Sequence, residues 1–213
     1  MLIASYLLSA FIGATWISIV QLVLFTVAGM LALRNSPFQR GTVRLIVASA
    51  LAGSAVMIVA AALYGGNEGF GIAALWTGVL LLMTVVLIVR QILTLPVVTL
   101  QSIFGALSAY LIIGLMFSSI YSAMYRLGGD QFFASGQLRD SHNVTPIFQY
   151  FSFTTLTTLG YGDFTAASNG GRAVAVLEAI TGQIFLATLV ARLVAAFRPQ
   201  AGGPADLTAR PDS

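Results

Sequence analysis

The chain has 213 residues, of which 58% are apolar and only 8% are charged, and its mean hydropathy is +0.92. Soluble domains carry about 25% charged residues, so the composition excludes an ordinary water-soluble domain and predicts an integral membrane protein in contact with the lipid bilayer. The absence of cysteine excludes disulfides, thiol catalysis and thiolate metal sites. The net charge of +3 comes from dispersed arginines, which membrane topology explains, and we expect no nucleic-acid partner.

Five apolar stretches are long enough to cross a hydrocarbon core of roughly 30 Å, which takes about 20 helical residues. They cover residues 8–33, 43–64, 70–92, 97–126 and 171–197.

The order of these stretches divides the chain into three predicted parts. Residues 1–96 form an N-terminal membrane region of three spans, whose role the sequence does not identify. Residues 97–197 form a second membrane region, with an outer and an inner helix. Residues 198–213 are rich in proline, glycine and polar side chains and are predicted to be a disordered cytoplasmic tail.

Arginines mark one side of the predicted membrane region. Five spans place Arg34, Arg40, Arg44, Arg90 and Arg192 on the same side, which the positive-inside rule makes the cytoplasm. We therefore expect the N-terminus outside and the C-terminus in the cytoplasm, in a bacterial plasma membrane. The third span carries only Arg90, at its end, so we do not expect steep voltage gating.

A short apolar segment lies between the last two spans, after a polar outer turret at 127–144. Its residues 145–157 are predicted to form a helix, with Thr145 as N-cap and Pro146 in the first turn. At about 1.5 Å per residue this helix is too short to cross the bilayer, so it is predicted to re-enter on the same side. The partial negative charge of its C-terminal end would favour a cation at the membrane centre.

The glycine-rich run 158–162 follows that helix. Carbonyl oxygens of successive residues face one side only if some residues adopt left-handed conformations, which Gly160 and Gly162 accept at low cost. Backbone exposed at membrane depth is tolerated only where it lines a watery path. If four chains met on an axis, rings of oxygens would replace the water of a potassium ion. These oxygens are the Thr158 hydroxyl and the carbonyls of Thr158, Leu159, Gly160 and Tyr161.

The heptapeptide Thr157-Thr158-Leu159-Gly160-Tyr161-Gly162-Asp163 resembles the signature of potassium channels, with leucine where valine or isoleucine is commoner. The resemblance covers about residues 97–197. It implies a homotetramer that conducts K⁺ passively, with no catalytic residue and no cofactor apart from the permeant ion. The predicted fold is an all-α membrane protein with five transmembrane helices, one re-entrant pore helix and its filter loop, in a four-fold assembly.

The resemblance also implies supporting residues around the filter. The Tyr161 ring would pack outward and brace the filter, and Thr157 would also support it. Asp163 would anchor the outer mouth of the filter. Many relatives pair that aspartate with a carboxylate at the position of Thr154, so the acid pair is missing here.

Glu178 is the one acid inside a predicted span, where charges are expensive and usually paired or functional. Two interpretations stand. The carboxyl is a cavity charge that attracts potassium, or it is a buttress, protonated or not, that is hydrogen-bonded to the pore helix or to the backing of the filter. The position near filter height favours the buttress.

The inner helix is predicted to contain the gate. Gly182 is a packing glycine or, by resemblance, a hinge, and both roles are compatible. One face of this helix would line the cavity and close by dewetting. It carries Gln183, Leu186, Ala187, Val190, Ala191 and Val194.

Two other classes of protein compete with a channel. The membrane subunit of a potassium-uptake system could use filter-like loops, but such chains usually carry four degenerate copies, and this chain has one. A regulatory subunit that joins other channels is the second, and the intact filter argues against it.

Overall fold

The computed structural model describes residues 67–94, 100–128, 132–134 and 144–196, together with Gly53. Its described residues form four α-helices and no strand. We number the helices α1 (Asn67–Thr94), α2 (Leu100–Gly128), α3 (Thr145–Leu156) and α4 (Asn169–Ala196). The predicted spans 8–33 and 43–64, apart from Gly53, and the predicted tail 198–213 lie outside the described residues.

Three of these helices are long and apolar enough to cross a membrane, and they correspond to the last three predicted spans. The qualifying segments are Glu68–Arg90, Ser102–Gly128 and Asn169–Ala195. The remaining helix, α3, has 12 residues. Its length of about 18 Å is well below the thickness of a hydrocarbon core.

Helix boundaries differ from the predicted ones by a few residues. The outer helix, predicted to end at 126, continues to Gly128, and the pore helix ends at Leu156 rather than 157. The inner helix begins at Asn169 rather than 171. Its earlier start has a local cause, because the Ser168 hydroxyl accepts the N–H of Gly171 at 3.0 Å and caps the first turn.

The predicted N-cap at Thr145 is wrong. The cap residue of α3 is Val144, which makes no side-chain capping bond, and Pro146 lies in the first turn. The Val144 carbonyl already accepts the N–H of Phe148 at 3.1 Å, so the helix starts one residue earlier than the threonine suggested.

Helices α1 and α2 pack as an antiparallel pair with glycines at the contact. Gly71 lies against Leu127, and Gly105, at the other end of the pair, lies against Ile92. Small residues allow membrane helices to approach closely. At the Gly71 end, the Arg126 guanidinium lies 5.3 Å from the centre of the Phe70 ring, a cation–π distance.

Gly53, the one described residue of the second predicted span, contacts α1. A Cβ at this position would overlap the indole ring of Trp76, so the contact requires glycine. The indole nitrogen is buried with no hydrogen-bond partner among the described residues.

An aromatic cluster joins α2, α3 and the segment 132–134. The ring centre of Phe132 lies 5.2 Å from that of Phe148, and Tyr121 lies 5.0 Å from Phe151, both close to perpendicular. Such pairs contribute about 0.5–1.5 kcal/mol beyond their buried area. An antiparallel bridge between Phe133 and Ala166 ties this cluster to the chain that leaves the loop after α3. The cluster therefore fixes α3 against α2 and holds both ends of the loop.

We expect Phe148→Ala to lower the free energy of unfolding in detergent by about 3–5 kcal/mol, because this side chain is fully buried in the cluster. The matched control is Phe104→Ala on α2, where the ring is 66% exposed and a small change is expected. Equal losses for the two variants would contradict the assignment of the cluster as the core.

Candidate functional site

The loop that follows α3 has an alternating backbone. Thr158, Gly160 and Gly162 have φ of 57°, 48° and 81°, in the left-handed region, whereas Leu159 and Tyr161 do not. The expectation for the two glycines is confirmed. Thr158 was not expected there, because a β-branched residue pays about 1–2 kcal/mol for this conformation. Its hydroxyl donates to the Thr157 carbonyl at 2.7 Å.

The last turn of α3 holds the start of this loop. The Thr154 carbonyl accepts the N–H groups of both Leu159 and Gly160, at 2.8 and 3.1 Å. The Thr155 carbonyl accepts the N–H of Thr158 at 2.9 Å. The N–H groups of Thr158, Leu159 and Gly160 therefore point at the helix, and no hydrogen bond to the carbonyls of 158–161 is formed within the described part of the chain.

The threonine side chains before the loop bond back to their own helix. The Thr157 hydroxyl donates to the Phe153 carbonyl at 2.7 Å, and the buried Thr154 hydroxyl donates to the Phe151 carbonyl at 3.0 Å. Thr154 therefore contacts the loop through its backbone, and its side chain is not turned toward Asp163.

Asp163 is instead bonded to Tyr150, a residue that the sequence analysis missed. The Tyr150 hydroxyl donates to the Asp163 carboxylate at 2.8 Å. The Tyr150 ring also lies parallel to the Tyr161 ring, with 6.5 Å between centres. Tyr150 precedes Thr154 by four residues, on the same face of α3, and this spacing was the signal available in the sequence.

Glu178 lies in the interior, between three helices. Its side chain has no exposed surface. One carboxyl oxygen lies 2.6 Å from the Tyr121 hydroxyl on α2, and the other lies 2.5 Å from the Ser152 hydroxyl on α3. This position matches the buttress interpretation, because a cavity charge would need an exposed carboxyl.

Gly182 marks the closest approach of α4 to α3. A Cβ there would overlap the carbonyl oxygen of Leu156, the last residue of α3. The Tyr110 hydroxyl of α2 donates to the same oxygen at 3.3 Å. The packing role is therefore built into the structure, and the hinge role stays a prediction.

The predicted cavity face of α4 is exposed in the single chain. Its first member, Gln183, donates from its amide to the Thr158 hydroxyl at 3.3 Å, which places the start of this face directly beneath the loop. Further along, Val190 and Val194 are 57% and 62% exposed, and Leu186, Ala187 and Ala191 are exposed as well. In an apolar 18-residue stretch of each span, 11% of the α4 residues are buried, against 56% of the α2 residues.

A family model described as an ion channel matches residues 107–198. The match begins in α2 and includes α3, the loop and α4. No curated protein and no solved structure matches the chain. This part of the chain is therefore similar to an ion-channel domain, and its apolar helices agree with a membrane location.

Gly182→Ala is expected to destabilise the protein by about 1–3 kcal/mol, because the added methyl group meets a backbone oxygen that cannot move without displacing α3. The control is Gly170→Ala in the first turn of the same helix, where a Cβ would meet only the Met124 methyl at 3.6 Å. Thermal unfolding of both variants in detergent checks this. A Gly182→Ala variant as stable as the control would contradict the close approach.

Tyr150→Phe keeps the ring beside Tyr161 but removes the hydrogen bond to Asp163. A bond of this kind contributes about 1 kcal/mol, so amide exchange in residues 160–164 should be about five-fold faster. Hydrogen–deuterium exchange with mass spectrometry measures it, and Tyr125→Phe, a hydroxyl lost outside this pair, serves as the control. Unchanged exchange at the loop would show that the bond does not hold the loop.

Proposed function

We propose that the chain is one subunit of a potassium-selective channel, in which four copies surround a common axis and K⁺ passes down its electrochemical gradient. One observation carries the proposal. In the loop after the short helix, residues 158, 160 and 162 have left-handed backbone conformations and the residues between them do not. The loop is exposed along its length.

The oxygens of this loop have the chemistry that a dehydrated potassium ion requires. The carbonyls of Thr158, Leu159, Gly160 and Tyr161, with the Thr158 hydroxyl, would form successive rings when four copies meet, and these rings would replace the hydration shell. The end of α3 adds the negative end of its helix dipole beneath them. Leu159 and Tyr161, 55% and 68% exposed in one chain, would have their side chains directed away from the axis.

Within the described part of a single copy, the four carbonyl oxygens accept no hydrogen bond. Carbonyls exposed at membrane depth must line a water-filled path, because lipid offers no hydrogen bonds. The largely exposed α4 supports the same conclusion, since in a four-fold assembly part of this helix would contact neighbouring copies. The site is therefore incomplete without its partner subunits.

The lower part of the path would be formed by α4. Gln183 would place an amide at the inner end of the filter, and below it Leu186, Ala187, Val190 and Val194 would form an apolar lining that closes by dewetting. The orientation proposed from the arginines puts this end in the cytoplasm, with the filter toward the outside.

Flux through liposomes tests the proposal. Purified protein is reconstituted with a K⁺ gradient, and a proton ionophore and a pH-sensitive dye report potassium efflux. We expect efflux with K⁺ and none with an equal Na⁺ gradient. Gly162→Ala should abolish or lower the flux, because φ of 81° is strained for alanine. Gly170→Ala should retain it.

Other outcomes would overturn the proposal. Equal K⁺ and Na⁺ flux would reject potassium selectivity, and flux that Gly162→Ala leaves intact would reject the filter assignment. If the protein is folded but passes no ion at any voltage or pH, it is a regulatory or uptake-system subunit rather than a channel.

A further inference from the structure

The carboxyl group of Glu178 and two hydroxyl groups form a closed hydrogen-bond network at the junction of α2, α3 and α4. We infer that Glu178 carries its proton and, as a neutral hydrogen-bond donor, clamps α4 to α3, which makes it a positioning residue for the loop 158–162. Only the effect on conduction rests on the proposed function. The protonation and the clamp rest on the geometry alone.

The Ser152 hydroxyl decides where the proton lies. Its oxygen is 2.6 Å from the Gly114 carbonyl and 2.5 Å from one Glu178 oxygen. A serine hydroxyl has one hydrogen and two lone pairs, and the Gly114 carbonyl can only accept. If Ser152 donates to Gly114, the second short contact needs a hydrogen supplied by Glu178.

The opposite assignment leaves two oxygens in contact without a hydrogen. If Ser152 donated to an ionised Glu178, its lone pairs would face the Gly114 carbonyl at hydrogen-bond distance, which is repulsive. With a neutral acid every atom is satisfied. Glu178 donates to Ser152, Ser152 donates to Gly114, and the Tyr121 hydroxyl donates to the second carboxyl oxygen at 2.6 Å.

The surroundings agree with a neutral group. Glu178 is fully buried, and no cationic side chain of the described residues is paired with it. The titratable side chains that face it are Tyr121 and Tyr110, both from α2, while α3 contributes Ser152, which does not titrate. An isolated carboxylate in such a site would lose its hydration with nothing to replace the charge interaction.

The clamp lies close to the contacts that hold the loop. Ser152 precedes Thr154 by two residues on α3, and the Thr154 carbonyl binds the N–H groups of Leu159 and Gly160. One turn after Glu178, Gly182 lies against the Leu156 carbonyl. The carboxyl therefore sets how closely α4 approaches the turn that carries the loop. Because the clamped state holds the proton, raising the pH favours the unclamped state.

Glutamine substitution separates the two charge states. Glu178→Gln offers an N–H donor to Ser152 and a carbonyl acceptor to Tyr121, so it reproduces the neutral acid and should keep the melting temperature of the full-length protein. Glu178→Val removes both bonds at similar volume and should lower it. If Glu178→Gln is destabilised as much as Glu178→Val, the acid is not a neutral donor and the inference is overturned.

Infrared spectroscopy of the full-length protein tests the proton directly and needs no variant that folds poorly. We expect the wild type at neutral pH to show the C=O stretch of a protonated carboxyl, shifted in D₂O and missing from Glu178→Gln. Absence of this band would overturn the inference. In the flux assay, we expect the wild type to lose flux at alkaline pH. The loss should be smaller in Glu178→Gln, which has no proton to release at this position. If the carboxyl band is present but the protein conducts no ion, the inference about Glu178 stands and the proposed channel function is rejected.

Discussion

The last turn of α3 has carbonyl oxygens that find no hydrogen-bond donor within the helix, and N–H groups of the loop that follows supply the donors. The Thr154 and Thr155 carbonyls accept the N–H groups of Thr158, Leu159 and Gly160, which turns these three donors of the loop toward the helix. The carbonyls of 158–161 accept no hydrogen bond within the described part of the chain. In the assembly that we propose, these oxygens would face those of partner subunits across a common axis.

The rest of the domain keeps that turn in place. From one side the aromatic cluster of α2 and the segment 132–134 holds α3, and from the other α4 approaches so closely that only glycine fits at 182. Glu178 and Ser152 add a polar link across the same interface. Each of these contacts joins α3 to a neighbouring segment, and in the proposed channel a firmly held α3 would keep the oxygens of the loop in place.

The sequence predicted the elements that depend on local pattern. Helix lengths, the short helix between two spans and the left-handed glycines follow from apolar run length and from the conformational freedom of glycine at 160 and 162. Contacts between distant residues could not be predicted. The Tyr121–Glu178 bond joins residues 57 positions apart, and the sequence suggested a partner on the pore helix without identifying Ser152 or Tyr121. The left-handed conformation of Thr158 was also not predicted, because a β-branched residue disfavours it and the hydrogen bond to α3 that accompanies it is not visible in the sequence.

Thallium(I), a monovalent cation close to potassium in size, scatters X-rays anomalously and allows the central claim to be measured directly. The claim is that backbone oxygens of residues 158–161 from four copies surround monovalent cations. A crystal of the assembled protein grown with thallium should show anomalous peaks in a row on a four-fold axis, each between successive rings of these oxygens. Peaks that lie elsewhere, or an assembly in which the four loops do not meet on an axis, would contradict the account.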